Sequence, residues 1–304
     1  MWRPDCIAKA IAAIAARFAA NDQRIEVTIE ANPTDCTEPN LAAWRAAGVN
    51  RVSIGVQSFE PAALIVLGRD HRFGDGRAAI ERTIGAGFTT SADFILGVPG
   101  AHAAQELDTA PDHLSIYELT IEDRTAFGQR VRDGRLVPLD EDALTSLYVG
   151  THDRLVGAGY EHYEISSYAR PGKRGVHNSL YWTGAPFLGL GVGAASLELA
   201  RDGSGVRATN PRRASAYLAA PGVPAESVTI PASEMATDRA WLGVRTIDGV
   251  TESSLAPARG VADWLVAESL AERRDGRICP TLRGFLMADR IATRIVQAWS
   301  VQEL

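Results

Sequence analysis

Apolar and polar positions along this chain follow two alternating periods. Short β-rich runs at Ile25–Ala31, Arg51–Gln57, Ser91–Val98 and His113–Ile121 are separated by stretches with helical spacing. Three helical stretches close in the same way: Ala47-Gly48-Val49 before RVSIGVQSF, Ala86-Gly87-Phe88 before TTSADFILGV, and Ala158-Gly159-Tyr160 before EHYEISSYA. Glycine there suits the left-handed residue that ends a helix without a Cβ clash. Helix followed by buried strand, repeated, predicts an α/β fold with a parallel sheet or barrel.

The helices fill the intervals. Thr37 is placed to cap a helix through Leu41, Trp44 and Ala47, with Pro39 in its first turn. Others are predicted over Pro61–Leu67 and Arg77–Ile84. Asp140–Val156 carries Leu144, Leu147, Tyr148 and Leu155 on one face and acids at its start. Only 12 residues separate Gly100 from His113, a short crossover with room for about two helical turns in HAAQELD. Near the N-terminus, IAKAIAAIAARFAAND reads as an amphipathic helix rather than an export signal, because Arg17 interrupts its apolar run.

Beyond residue 200 the texture changes. RDGSGVRATNPRRAS and APGVPAES read as loops. Two helical segments follow (EMATDRAWLGVRT and SSLAPARGVADWLVAESL), then a turn at Arg274-Asp275-Gly276, the short run RICPTL and a last helix in GFLMADRIATRIV. Helix, helix, ribbon, helix is a winged-helix-like order. The predicted organisation is a partial barrel over 1–200, then a linker and a mostly helical C-terminal domain over 201–304.

Composition narrows the function classes. The 304 residues are 46% hydrophobic, enough for a full-sized core. With 31 basic and 37 acidic side chains, the net charge of −6 argues against a nucleic-acid surface. No apolar run reaches the roughly 20 residues that span a bilayer. Cys6, Cys36 and Cys279 are too scattered for a disulfide framework or a paired-cysteine metal spacing. Their low number makes the cytoplasm the expected compartment.

Barrel folds place chemistry where strands end. Glu30 in VTIEANP, Gln57 in SIGVQSF and Asp93 in SADFILG lie there, and Arg69 follows the short helix after the second of these strands. Two carboxylates, an amide and a guanidinium can converge on a ligand with amine, hydroxyl and carboxylate groups. Each also has an ordinary alternative: Glu30 as a helix cap, Gln57 satisfying backbone at a strand end, Arg69 and Asp93 in ion pairs.

The phrases IEANPT, GVNRVSIGVQSF, LGRDH, DFILGVPG, PDHLSIYELTIE, GYEHYEISSYARPG, HNSLYW and FLGLGVGAAS occur in that order. In this the chain resembles the oxygen-independent coproporphyrinogen III oxidase family of radical S-adenosylmethionine (SAM) proteins, and most closely its haem-chaperone (HemW-like) branch, from about Pro4 to Ile295. The resemblance implies a partial (β/α)6 barrel that holds SAM and a 4Fe-4S cluster. Glu30, Gln57, Arg69 and Asp93 would then contact SAM, with Thr120 and Ala195 lining the same pocket through backbone atoms. HNSLYW resembles the HNxxYW signature of haem-chaperone members. It makes His177, Asn178, Tyr181 and Trp182 candidates for haem handling, a role imidazole and flat aromatic walls suit. The alternative for His177 is a hydrogen-bonded structural histidine. Haem or a porphyrin, and a haem-acceptor protein, are the implied partners; no nucleic acid is expected, and membrane contact is at most peripheral.

Departures from the family pattern matter as much. The cluster-binding CxxxCxxC and the GGGTP segment do not occur, and alanine stands at position 195 where haem-chaperone members usually carry histidine. Aligned on its motifs, Met1 falls within the helix after the second barrel strand. The expectation is a barrel without its first two strands and its cluster ligands, with the edge of Ile25–Ala31 in need of partners. A start assigned too late, a truncated chain and gene decay each account for this. The implied function is a haem chaperone. Its alternatives are a radical SAM coproporphyrinogen dehydrogenase whose cluster half is missing here, or a catalytically inert remnant.

Overall fold

The structure, a computed structural model, describes residues 3–18, 25–69, 74–99 and 109–300. In it the chain divides into two compact units, Met1–Gly175 and Val176–Leu304.

The first unit begins with α1 (Pro4–Arg17), β1 (Thr28–Ala31), α2 (Glu38–Ala46), β2 (Arg51–Gln57), α3 (Pro61–Val66), α4 (Asp75–Gly85) and β3 (Thr89–Leu96). It continues with β4 (His113–Glu118), α5 (Ala126–Arg132), α6 (Glu141–Gly157), β5 (Glu161–Glu164) and β6 (Ser167–Ala169). Helix ends follow the predicted chemistry. Thr37 caps α2 by accepting from Asn40 N, and Asp140 caps α6 by accepting from Ala143 N at 2.8 Å. After α2, α4 and α6, Gly48, Gly87 and Gly159 adopt φ of 97°, 78° and 85°. The next residue, Val49, Phe88 or Tyr160, donates its N–H back to Trp44, Thr83 or Leu155 and buries its side chain. Each is the same αL closure that satisfies orphan carbonyls and turns the chain into the following strand.

The six-stranded sheet has the order β1-β2-β3-β4-β6-β5. The first four strands are parallel, and β6 and β5 add antiparallel. The sheet does not close on itself among the described residues, which makes it a partial barrel. Its register gives it two unlike faces, because side chains alternate along a strand. Val52, Ile54, Val56, Ala92 and Leu114 are buried on one face with Leu41, Trp44, Ala79 and Ile80 of the helices. The other face carries Glu30, Arg51, Ser53, Gly55, Ser91, Asp93, His113 and Ser115, matched across strands as Glu30↔Ser53, Ser53↔Ser91, Gly55↔Asp93 and Asp93↔Ser115.

Some boundaries differ from the predicted ones. β1 starts at Thr28 rather than Ile25, because the Asn50 side chain holds the segment ahead of it: its Oδ1 accepts from Val27 N at 2.9 Å and its Nδ2 donates to Ile25 O at 2.7 Å. β4 ends at Glu118, three residues short of Ile121, after which Leu119 N donates to Leu96 O. The helix expected in HAAQELD lies outside the described residues.

The second unit holds α7 (Val176–Trp182), β7 (Ala195–Leu199), β8 (Gly205–Thr209), α8 (Ala214–Ala219), β9 (Glu226–Ile230) and α9 (Ala232–Gly243). It ends with β10 (Val250–Thr251), α10 (Val261–Ala267), β11 (Ala271–Arg274), β12 (Arg277–Pro280), α11 (Leu282–Leu286) and α12 (Ala288–Ser300). β7, β8 and β9 form an antiparallel sheet. This corrects the reading of RDGSGVRATNPRRAS and APGVPAES as plain loops. Residue 200, where the texture changes, lies in the β7–β8 connection, and β8 is the central strand. Much of β8 and β9 is exposed, so polar and small residues are tolerated and the ladder is set by pairing rather than composition. The winged-helix-like order appears as α9, α10, the β10-β12-β11 sheet and α12 around Leu265, Ile278, Ile291 and Ile295. Asp275 and Gly276 form the predicted turn, both with positive φ.

Candidate functional site

Strand register builds the first site. A cavity of about 670 Å³ in the first unit is lined by Glu30, Ser53, Gly55, Gln57, Arg69 and Asp93. The same cavity is also lined by apolar residues of α1 and its neighbours, among them Ile7, Ile11, Ile14, Val27 and Trp44. Four sequence-predicted residues, Glu30, Gln57, Arg69 and Asp93, therefore meet in one place.

Each is held by a local cause. β2 ends in an irregularity between Gly55 and Gln57, and Gln57 takes φ 66°, an uncommon conformation for a non-glycine residue. That turn lays the Gln57 amide back over Gly55, so closely that a Cβ on Gly55 would stand 2.8 Å from Gln57 Nε2. Glycine at 55 is thus what permits the amide its place. Asp93 accepts from Ser53 Oγ at 3.1 Å, with Ser115 as a second hydroxyl partner. Burial pushes the Asp93 carboxyl up to about 6, and the nearby Glu30 adds to this, against the hydrogen bonds from Ser115 and Ser53 and the more distant Arg51. Glu30 and Arg69 sit at the exposed rim.

Behind the cavity the same face is closed by a buried relay. Ser91 Oγ meets His113 Nδ1 at 2.8 Å, and His113 Nε2 meets the Tyr163 hydroxyl at 2.8 Å. Burial, with Arg51 nearby, pushes His113 down to about 3, so its ring is neutral at physiological pH. Arg51 is itself buried, 3.6 Å from Glu26.

The three cysteines are free thiols. Cys6 is exposed, buried Cys36 donates to Asn32 O with its thiol pushed up to about 11, and Cys279 donates to Asp248 O. Among the described residues, no three His, Cys, Asp or Glu side chains group as a metal-ligand set.

The second site is α7, which carries the whole HNSLYW motif. His177 Nε2 lies 3.0 Å from the Tyr181 hydroxyl, and the two rings are edge-on at 5.0 Å. Tyr181 in turn packs against Phe187 at 4.8 Å. His177, Asn178 and Tyr181 are exposed and Trp182 is half-buried. Of the two backbone candidates, Thr120 is not among the residues lining the cavity. Thr120 is exposed in the loop after β4, and Ala195 opens β7 in the second unit. Sequence reasoning missed Ser53, Ser115 and the apolar α1 residues that line the cavity. The alternation in Arg51-Val52-Ser53-Ile54-Gly55-Val56-Gln57 was the available signal for Ser53, since it puts Arg51, Ser53 and Gly55 on one face.

The Radical SAM superfamily matches residues 3–110. Over 281 residues the chain is 34% identical to "Heme chaperone HemW" of Mycobacterium tuberculosis (strain CDC 1551 / Oshkosh), covering 89% of this chain and 72% of that protein. The chain belongs to the HemW-like radical SAM family. Within it, the protein named "Heme chaperone HemW" in Escherichia coli (strain K12) is 36% identical over 201 residues, 64% of this chain and 52% of that one. The fold of this HemW-like chain matches a solved structure of coproporphyrinogen III oxidase (HemN) from Escherichia coli with a TM-score of 0.75 at 18% identity, over 97% of this chain and 74% of that one. SAM and a 4Fe-4S cluster are the cofactors of the radical SAM family. No helix among the described residues is long and apolar enough to cross a membrane.

Proposed function

We propose that this HemW-like chain carries haem as cargo on α7 and binds SAM in the cavity of its first unit, working in the cytoplasm and passing haem to an acceptor protein. The observation that carries the haem reading is His177: an exposed imidazole, oriented by Tyr181, with the Tyr181–Phe187 aromatic pair beside it. Imidazole nitrogen is a good ligand for haem iron, and the aromatic rings offer an apolar edge to the macrocycle. Nε2 is the atom that faces the Tyr181 hydroxyl. Iron binding at Nε2 would displace that hydroxyl.

The cavity fits SAM in its chemistry. SAM, when bound, supplies a cationic sulfonium, an amino-acid head and a flat adenine. The carboxylates of Glu30 and Asp93 suit an ammonium or sulfonium, Arg69 suits a carboxylate, and the Gln57 amide both donates and accepts. The apolar lining residues, Ile7 and Ile11 among them, suit the adenine. Trp44, which also lines the cavity, has a buried indole N–H without an acceptor. Among the described residues, no three His, Cys, Asp or Glu side chains come together to hold a 4Fe-4S cluster.

Titrating the purified chain with hemin tests the haem reading. The expected result is a saturable red shift of the Soret band, with the affinity reduced about tenfold or more in His177→Ala through loss of the iron–imidazole bond. A Soret band that stays that of free hemin overturns it.

A further inference from the structure

Between α7 and β7 runs the segment Leu188-Gly189-Leu190-Gly191-Val192-Gly193. Its glycines are pinned to the second unit. Gly189 N donates to Ser196 Oγ at 2.9 Å, Gly191 N to the Tyr217 hydroxyl at 3.1 Å and Gly193 N to Pro211 O at 3.1 Å. The Asn210 amide donates to both Gly189 O and Gly191 O, at 3.1 and 2.9 Å. Gly189 lies so close to β7 that a Cβ there would stand 2.0 Å from Ala195 O, so no other residue fits.

The residues between them do the reverse. Leu188, Leu190 and Val192 are 61%, 64% and 48% exposed. Single exposed aliphatics are ordinary, but three in six residues, on a backbone fixed at every glycine, mark a surface held out for a ligand. Two neighbours limit what that ligand is. Phe187 joins the segment directly to Tyr181 and so to His177. At the far end, the exposed Arg212 lays its stem against Gly193, its Cγ 3.8 Å from where a Cβ of that glycine would be. An imidazole, an apolar run and a guanidinium in sequence complement a flat apolar ring that carries a metal and bears carboxylates at one edge.

We propose that Leu188, Leu190 and Val192 form the platform on which haem rests, with Arg212 pairing its propionates. This rests on the haem reading of α7. It assigns two roles that HNSLYW does not contain: a floor, and a polarity that fixes which edge of the macrocycle points away from His177.

The test titrates the full chain with hemin and with hemin dimethyl ester, following the Soret band. The variants are Leu188→Ser/Leu190→Ser/Val192→Ser, Arg212→Glu and His177→Ala. All of these positions are exposed, and melting temperatures matching the wild type establish that the variants fold. The platform requires hemin affinity to fall about tenfold or more in the triple variant, with the saturated spectrum unchanged because His177 still meets the iron. It requires Arg212→Glu to lose about threefold or more for hemin and nothing for the ester, which lacks the propionate charge. Unchanged hemin affinity in the triple variant and in Arg212→Glu, with His177→Ala still impaired, overturns the platform and leaves the haem reading standing. No saturable Soret change in the wild type overturns both. A concentration-dependent dimer that the triple variant abolishes, with hemin affinity unaffected, gives the face to a second copy of the chain and overturns the platform as well.

Discussion

The two candidate sites are built on opposite plans. In the first unit the chemistry sits on the polar face of a parallel sheet, where strand register puts Ser53, Gly55 and Asp93 side by side and helices cover the other face. In the second unit it sits on a two-turn helix and a glycine-pinned segment, with His177, Tyr181, Leu188 and Leu190 exposed. A ligand in the first site meets, in Asp93, a carboxyl whose energy is already set by burial. A ligand at the second meets side chains that remain in water until it arrives. Stability and binding are therefore tied together in the cavity and separable on α7.

The sharpest way to break this contrast is through packing. Trp44 is fully buried between the helices and the sheet and also lines the cavity. Trp44→Ala is expected to destabilise the first unit by about 3–5 kcal/mol, read by urea denaturation, and to abolish SAM binding with it. A loss below about 1 kcal/mol would show that the core does not support the site. Exposed Leu190→Ser is expected to shift stability by no more than about 0.5 kcal/mol.

Charge gives the next effect. The Asp93 carboxyl is raised from its ordinary 3.8 to about 6. A raised acid favours the fold fully below pH 4, and that contribution fades as pH rises through 6. Asp93→Asn should therefore stabilise the ligand-free chain at pH 7.5 by roughly 1–3 kcal/mol and add little at pH 4. The reverse order, with the gain at acid pH, would contradict the assignment. A cationic ligand reverses the balance by favouring the ionised form, so its affinity should rise from pH 5 to pH 7.5.

The smallest effect is local. Thr37 caps α2, the helix that carries Trp44. Thr37→Ala is expected to cost about 1 kcal/mol in the same denaturation experiment, with hemin binding on α7 untouched.

Legibility in the sequence follows the same division. The αL closures at Gly48, Gly87 and Gly159 were readable because each joins a helix period to a buried residue in a fixed order. Glu30, Gln57 and Asp93 were readable as polar residues at the ends of apolar strands, and their meeting follows from parallel register. The partial barrel followed from the repeat of these units. Harder to see was β8. RDGSGVRATNPRRAS has loop composition, and only pairing with β7 and β9 makes Gly205–Thr209 a strand. The segment at Leu188–Gly193 was visible as a motif but not as a surface. Whether an aliphatic residue next to glycine is packed or presented depends on Asn210 and Tyr217, some twenty residues away, and no local period encodes that.

The central claim is that the polar sheet face of the first unit, through Glu30 and Asp93, binds a cationic SAM molecule. Isothermal calorimetry of SAM into the full chain at pH 7.5 tests it most directly, with Glu30→Gln and Asp93→Asn alongside. The account requires saturable one-to-one binding in the wild type that weakens about tenfold or more in each variant, as loss of a charged hydrogen-bond partner implies. Saturable binding of equal strength in all three proteins, or no binding heat in the wild type, would contradict it.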